Sequence, residues 1–108
     1  MNLKEYEEKA KSTAIYPKEV GLLYCTLKLA GEAGEVAEKV GKVLRDNGGV
    51  FSDEVKEKLA YELGDVLWYI SNLSGELGYT LEEVAQMNLD KLASRKERGK
   101  IQGSGDER

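Results

Sequence analysis

Apolar residues recur at helical spacing along most of this chain, and nowhere do they alternate convincingly as a strand requires. Between Glu19 and Asp46, residues Leu22, Leu29, Ala33, Val36, Val40 and Leu44 fall at steps of three, four and seven, the period of one helix face. A second stripe follows, made of Val55, Leu59, Leu63, Val66, Ile70, Leu73 and Leu77. Proline, which breaks such helices, occurs once, at Pro17. Two long helices of this kind commit the chain to an all-α fold.

The punctuation between the stripes divides the rest. Leu3 to Ser12 reads as a short amphipathic helix with Leu3, Tyr6 and Ala10 on one face, and Thr13 to Lys18 reads as a turn. Asn47-Gly48-Gly49 ends the first long helix, as glycine just past a helix commonly does. Ser52 is placed to cap the second, with Asp53 and Glu54 at its positive end, and Gly78 closes it. Thr80-Leu81-Glu82-Glu83 has the form of a capping box, starting a helix that runs to about Arg98. Short connections make neighbouring helices antiparallel, so we expect an antiparallel bundle of about four helices over residues 1–98. The glycine-rich, charged tail, 99–108, is either disordered or a loop folded over something. Tyr61 and Trp68 sit on the face of their helix opposite its stripe. A helix apolar on two sides is usually buried on two sides, by further core packing or by a second copy, and we expect the bundle to be completed by oligomerisation.

Charge and residue usage exclude several functions. The chain has 108 residues, enough for one domain with a modest core. A net charge of −4 argues against a nucleic-acid binder, which needs a broad basic face. No apolar run approaches the roughly 18 residues needed to cross a bilayer, and there is no signal peptide, so no membrane partner and a cytoplasmic location are expected. Cys25 stands alone, which forbids an internal disulfide. Histidine is absent altogether. Zinc sites and di-iron bundles draw on His and Cys, so a metal held here must accept oxygen ligands, as magnesium, manganese and calcium do.

Carboxylates that could supply such ligands occur as two pairs at one spacing, Glu32 with Glu35 and Glu62 with Asp65, one pair on each long helix. Both pairs fall at the edge of their apolar stripe, on the same flank. Lys28 and Lys58 each precede a pair by four residues. Two like charges about 4 Å apart repel by roughly 4 kcal/mol at an effective dielectric of 20. Four converging acids would therefore strain a small domain unless protonated or neutralised by a divalent ion. Gly31, Gly34 and Gly64 lie beside the acids, each costing on the order of 1 kcal/mol of helix stability relative to alanine, which implies that something approaches the backbone there. At the other end of the chain Lys91, Arg95, Lys96, Arg98 and Lys100 cluster against Glu97. Lys91 and Arg95 share a face, with Asn88 one turn earlier. Arginine's planar fork suits phosphate oxygens, although cations in a last turn also answer the helix dipole.

The strings Gly31-Glu32-Ala33-Gly34-Glu35-Val36 and Glu62-Leu63-Gly64-Asp65-Val66-Leu67, followed by Asn88-Leu89-Asp90-Lys91-Leu92 with Arg95, resemble the motifs of the all-α nucleoside triphosphate pyrophosphohydrolases of the MazG type. The resemblance runs from about Leu22 to Arg95, and the ending Gly103-Ser104-Gly105-Asp106 is similar to that of compact single-domain members. It implies magnesium-dependent cleavage of a nucleoside triphosphate between the α and β phosphates, with manganese as a possible substitute, giving the monophosphate and pyrophosphate. It further implies Glu32, Glu35, Glu62 and Asp65 as metal ligands, and one of them or Glu38 as the group that orients or deprotonates water. Lys91, Arg95 and Asn88 would contact phosphate, with Lys28 and Lys58 as weaker candidates, and a homodimer or homotetramer is implied as well. A dUTP or dCTP pyrophosphatase, or a phosphoribosyl-ATP pyrophosphohydrolase, would share this fold. A non-catalytic helical interaction module, its acids merely solvated, is the alternative of another class.

Overall fold

A computed structural model describes every residue of the chain, 1–108. It is all-helical, with four α-helices and no strand: α1 (Leu3–Ser12), α2 (Gly21–Asp46), α3 (Asp53–Glu76) and α4 (Leu81–Glu97). The caps explain the boundaries. The Asn2 side chain accepts from the Glu5 N–H at 2.8 Å, and Ser52 Oγ accepts from the Val55 N–H at 3.2 Å. Thr80 and Glu83 form the full reciprocal box, at 3.0 and 2.9 Å. Gly48, Gly49 and Gly78 take positive φ where α2 and α3 stop, a conformation that costs glycine alone nothing. α2 begins two residues later than expected, because Lys18–Val20 forms a 3₁₀ turn after Pro17.

The long helices α2 and α3 form the central hairpin. Along α2 the covered positions are Cys25, Leu29, Glu32, Val36, Val40 and Val43; along α3 they are Val55, Leu59, Glu62, Val66, Ile70 and Leu73. This corrects the expected stripes. Leu22, Leu44, Leu63 and Leu77 are exposed rather than central, and Glu32 and Glu62 occupy the packed stripe itself rather than its edge. Both helices carry a second apolar row, and composition alone cannot say which row faces the partner helix.

α1 lies against α3 and the start of α4. Trp68 Nε1 donates to Thr13 Oγ1 at 2.9 Å, and the Leu81 N–H donates to Glu7 Oε1 at 2.6 Å. Tyr16, Tyr24, Trp68 and Tyr69 form an aromatic cluster beside this junction, with Tyr16 stacked on Tyr24 and Trp68 edge-on to both Tyr16 and Tyr69. Trp68 is thus half-buried by its own chain, whereas Tyr61 is left exposed. The tail folds back on α4, with the Lys100 N–H donating to the Arg95 carbonyl at 2.6 Å.

The core of this single chain is thin. Its fully buried apolar residues are Ala10, Cys25, Val43 and Leu81. The accessible surface is 8036 Å², where a compact 12.0 kDa monomer would expose about 6,000 Å². The radius of gyration is 16.7 Å, against about 13 Å for a compact chain of this length. On α2, Leu23, Leu27, Ala30, Gly34, Ala37, Gly41 and Leu44 make an uninterrupted, exposed 4-3-4-3-4-3 row. No helix is long and apolar enough to cross a membrane.

Candidate metal centre and phosphate-contacting residues

Because Glu32 and Glu62 project into the seam between α2 and α3, and Asp65 follows Glu62 by one turn, three carboxylates meet in the middle of the hairpin. One oxygen from each lies within 4.8 Å of the others. Glu32 and Glu62 are half-buried and Asp65 is exposed, so the cluster opens to solvent on one side. Lys39, one turn beyond Val36 on the same face of α2, pairs with Glu62 at 3.6 Å. The Glu32 carboxyl is pushed above the usual carboxylate range, first by burial and then by the charges of Asp65 and Glu62, while Lys28 pulls the other way. Asp65 also adds to burial in raising the phenol of Tyr6. Tyr69 is pushed up to about 12, chiefly by burial and its hydrogen bond with Tyr24, with Glu32 contributing.

A donor set of carboxylates without nitrogen or sulfur fits a hard divalent cation such as magnesium or manganese. The raised Glu32 is a consequence of the same burial and the same two carboxylates, and a cation placed among them would relieve it.

The other candidates are placed differently. Glu35 is exposed and outside the three-carboxylate group, though near enough for its charge to bear on Glu32. Glu38, a turn further on, pairs with Lys42 at 3.3 Å. Lys58 is tied to Glu54 at 3.3 Å along its own helix. Asn88 is exposed on α4. Lys91 and Arg95 do come together, but around Asp106 of the tail, with Lys91 Nζ 3.0 Å and Arg95 Nη2 3.3 Å from Asp106 Oδ1. No hydrogen bond or ion pair joins them to the acids. Three glycines beside the acids, Gly31, Gly34 and Gly64, would each accept a Cβ into open space, so no part of this chain is what approaches there.

Sequence reasoning missed Lys39, Tyr6 and Asp106 as neighbours of these groups. Lys39 had a signal, seven residues after Glu32 and so on its face; the other two are brought in by tertiary packing. It also missed a cavity of about 420 Å³ between α1, the end of α3 and the start of α4, lined among others by Tyr16, Ser71, Asn72 and Tyr79. Ser71 Oγ is buried there without a hydrogen-bond partner.

Residues 22–99 match the MazG nucleotide pyrophosphohydrolase domain. The chain is also 50% identical, over 114 residues spanning the full length of both proteins, to Gene 37 protein of Mycobacterium phage L5. No solved structure matches it. The match covers both carboxylate pairs as well as Lys91 and Arg95, and the chain belongs to the MazG nucleotide pyrophosphohydrolase domain family.

Proposed function

We propose that this protein is a magnesium-dependent nucleoside triphosphate pyrophosphohydrolase that cleaves between the α and β phosphates, releasing a nucleoside monophosphate and pyrophosphate. The observation that carries the reading is the convergence of Glu32, Glu62 and Asp65 on one open-sided cluster, in a chain of this family. These three would hold the cation, and Glu35 would be a fourth ligand. A divalent cation supplies charge neutralisation at the phosphates and lowers the pKa of the attacking water. The chain's own groups do the rest. Glu35 or Glu38, on the open side of α2, accepts a proton from that water. Lys28 adds positive charge beside Glu32, and Lys91, Arg95 and Asn88 hold phosphate oxygens on α4. Lys58 is the weakest of the phosphate candidates, because Glu54 already claims it. The protein works in the cytoplasm, where nucleotides and magnesium are available.

The working form is a homo-oligomer. Its occupant for the exposed α2 row is a second copy, because a surface excess of about 2,000 Å² per chain, or about 4,000 Å² for two copies, falls in the range of obligate homodimer interfaces, and Ala30, Gly34, Ala37 and Gly41 let a helix come close.

The test is a panel of nucleoside triphosphates with magnesium and then with EDTA, scored for pyrophosphate against phosphate. Pyrophosphate release that needs metal and is lost in Asp65→Asn, with the circular dichroism spectrum unchanged, is the expected result. Phosphate as the sole product rejects the cleavage position. Undiminished turnover in Asp65→Asn and Glu35→Gln rejects the site and favours the non-catalytic module. The same panel separates a general enzyme from one restricted to dUTP or dCTP, and phosphoribosyl-ATP belongs in it.

A further inference from the structure

We propose that Lys100 to Arg108 form a strap that phosphate displaces: the Asp106 carboxylate occupies the anion position of Lys91 and Arg95, and a phosphate group of the substrate competes for the same two side chains. The inference rests on the phosphate role given above to those cations and describes how access to them is controlled.

Occupancy is direct. Asp106 Oδ1 bridges Lys91 Nζ at 3.0 Å and Arg95 Nη2 at 3.3 Å, and the same Nη2 donates to the Asp106 carbonyl at 2.9 Å and the Gly105 carbonyl at 3.4 Å. Arg95 is left only 5% exposed, so no external anion can take it while the tail is down. The fit is nevertheless poor. All three of the Arg95 side-chain bonds use Nη2, and Arg95 Nε is buried with no partner. A guanidinium offers Nε and Nη2 as a two-pronged edge that tetrahedral phosphate can take with two oxygens. Asp106 takes only one prong.

The strap is also built to leave as a unit. Arg108 closes it on itself, donating to the carbonyls of Lys100, Ile101 and Gly105 at 3.0, 3.0 and 2.7 Å. Gly99, with φ of +67°, joins it to α4, a position where glycine turns freely. Its one ionic attachment is Asp106, whose side chain is 84% exposed, and exposed ion pairs hold weakly. Lys91 first, then Arg95, keeps that carboxyl below the usual range, so at neutral pH it is an anion. Phosphate carries more charge and fills both prongs.

Inorganic pyrophosphate is the probe. Its affinity is measured by calorimetry for the native protein, Asp106→Asn, Lys91→Ala and the tail control Glu107→Gln, and hydrogen exchange of residues 99–108 is followed with and without it. Expected are faster tail exchange on binding, an affinity raised about fivefold in Asp106→Asn, lowered affinity in Lys91→Ala, and no change in Glu107→Gln. If Lys91→Ala weakens binding but Asp106→Asn binds no tighter, or more weakly, Asp106 positions the cations and the strap is overturned while the phosphate role stands. Slower tail exchange on binding overturns it equally, because the tail would then close over the anion. Native affinity in Lys91→Ala removes the phosphate role and the strap together.

Discussion

Replacing Glu32 by glutamine should make the metal-free protein more stable and the metal-loaded protein less responsive to magnesium. The three carboxylate oxygens lie within 4.8 Å of one another, so each pair repels by at least about 3.5 kcal/mol at an effective dielectric of 20 and by at least about 0.9 kcal/mol in bulk water. Glu32 takes part in two such pairs. Asp65 is exposed, Lys28 offsets part of the repulsion and Lys39 part of the charge on Glu62, which places the effect near the aqueous end. A gain of about 1–2 kcal/mol is expected for Glu32→Gln in EDTA. For a domain of this size that is a rise of roughly 4–16 °C in Tm, read by differential scanning calorimetry at fixed protein concentration. With magnesium at 100 times its dissociation constant, the native protein should gain about 2.7 kcal/mol, and the variant much less, so the order of stabilities reverses. The pH dependence carries the same sign. Burial and like charges raise the folded-state pKa of Glu32, so stability relative to the unfolded chain is fully present below the ordinary carboxylate range and is lost as pH rises through the raised value. Lowering the pH from 7 towards 4.5 in EDTA should therefore close the gap between native protein and variant. A Glu32→Gln protein less stable than native in EDTA, or a native Tm indifferent to magnesium, would refute the reasoning, because the acids would then be ordinary solvated charges.

Leu27→Glu introduces a charge into the exposed α2 row, where Leu27 is 72% exposed in the single chain, and should shift sedimentation from oligomer to monomer; an unchanged sedimentation coefficient would remove the second copy from that face. Gly34→Ala meets nothing within the chain and by helix propensity alone should stabilise by about 1 kcal/mol. If a helix or ligand comes close there, urea denaturation will show a loss instead. Gly21→Ala places its Cβ against the Glu76 carboxylate and should expel it from its 3.2 Å bond with the Tyr16 hydroxyl; a crystal structure of the variant in which Glu76 keeps that bond would count against the close approach.

What could be read from the chain, and what could not, follows from how far each signal reaches. Ser52, Thr80, Glu83 and Gly78 act within one turn, so the ends of α3 and the start of α4 were legible without any tertiary knowledge. The closeness of Glu62 and Asp65 was legible for the same reason, because a spacing of three residues keeps two side chains on one flank, but the same spacing left Glu35 outside the group that Glu32 joins. Rotation of the helices about their own axes was not legible. α2 carries Cys25, Leu29, Val36, Val40 and Val43 on one side and Leu23, Leu27, Ala30, Ala37 and Leu44 on another, and a wheel sums both rows into a single centre that lies between them. That error put Glu32 and Glu62 at the edge of the packed stripe when they stand in it, a difference with chemical weight. At that place Glu32 is covered and faces Glu62 and Asp65, and burial with those like charges pushes its carboxyl above the usual range. The two-row helix and the perturbed carboxylate are thus consequences of one packing choice. Burying the row that contains Glu32 against α3 leaves the leucine row outside, so the packing that assembles the acids is the same packing that leaves the other face of α2 uncovered by this chain.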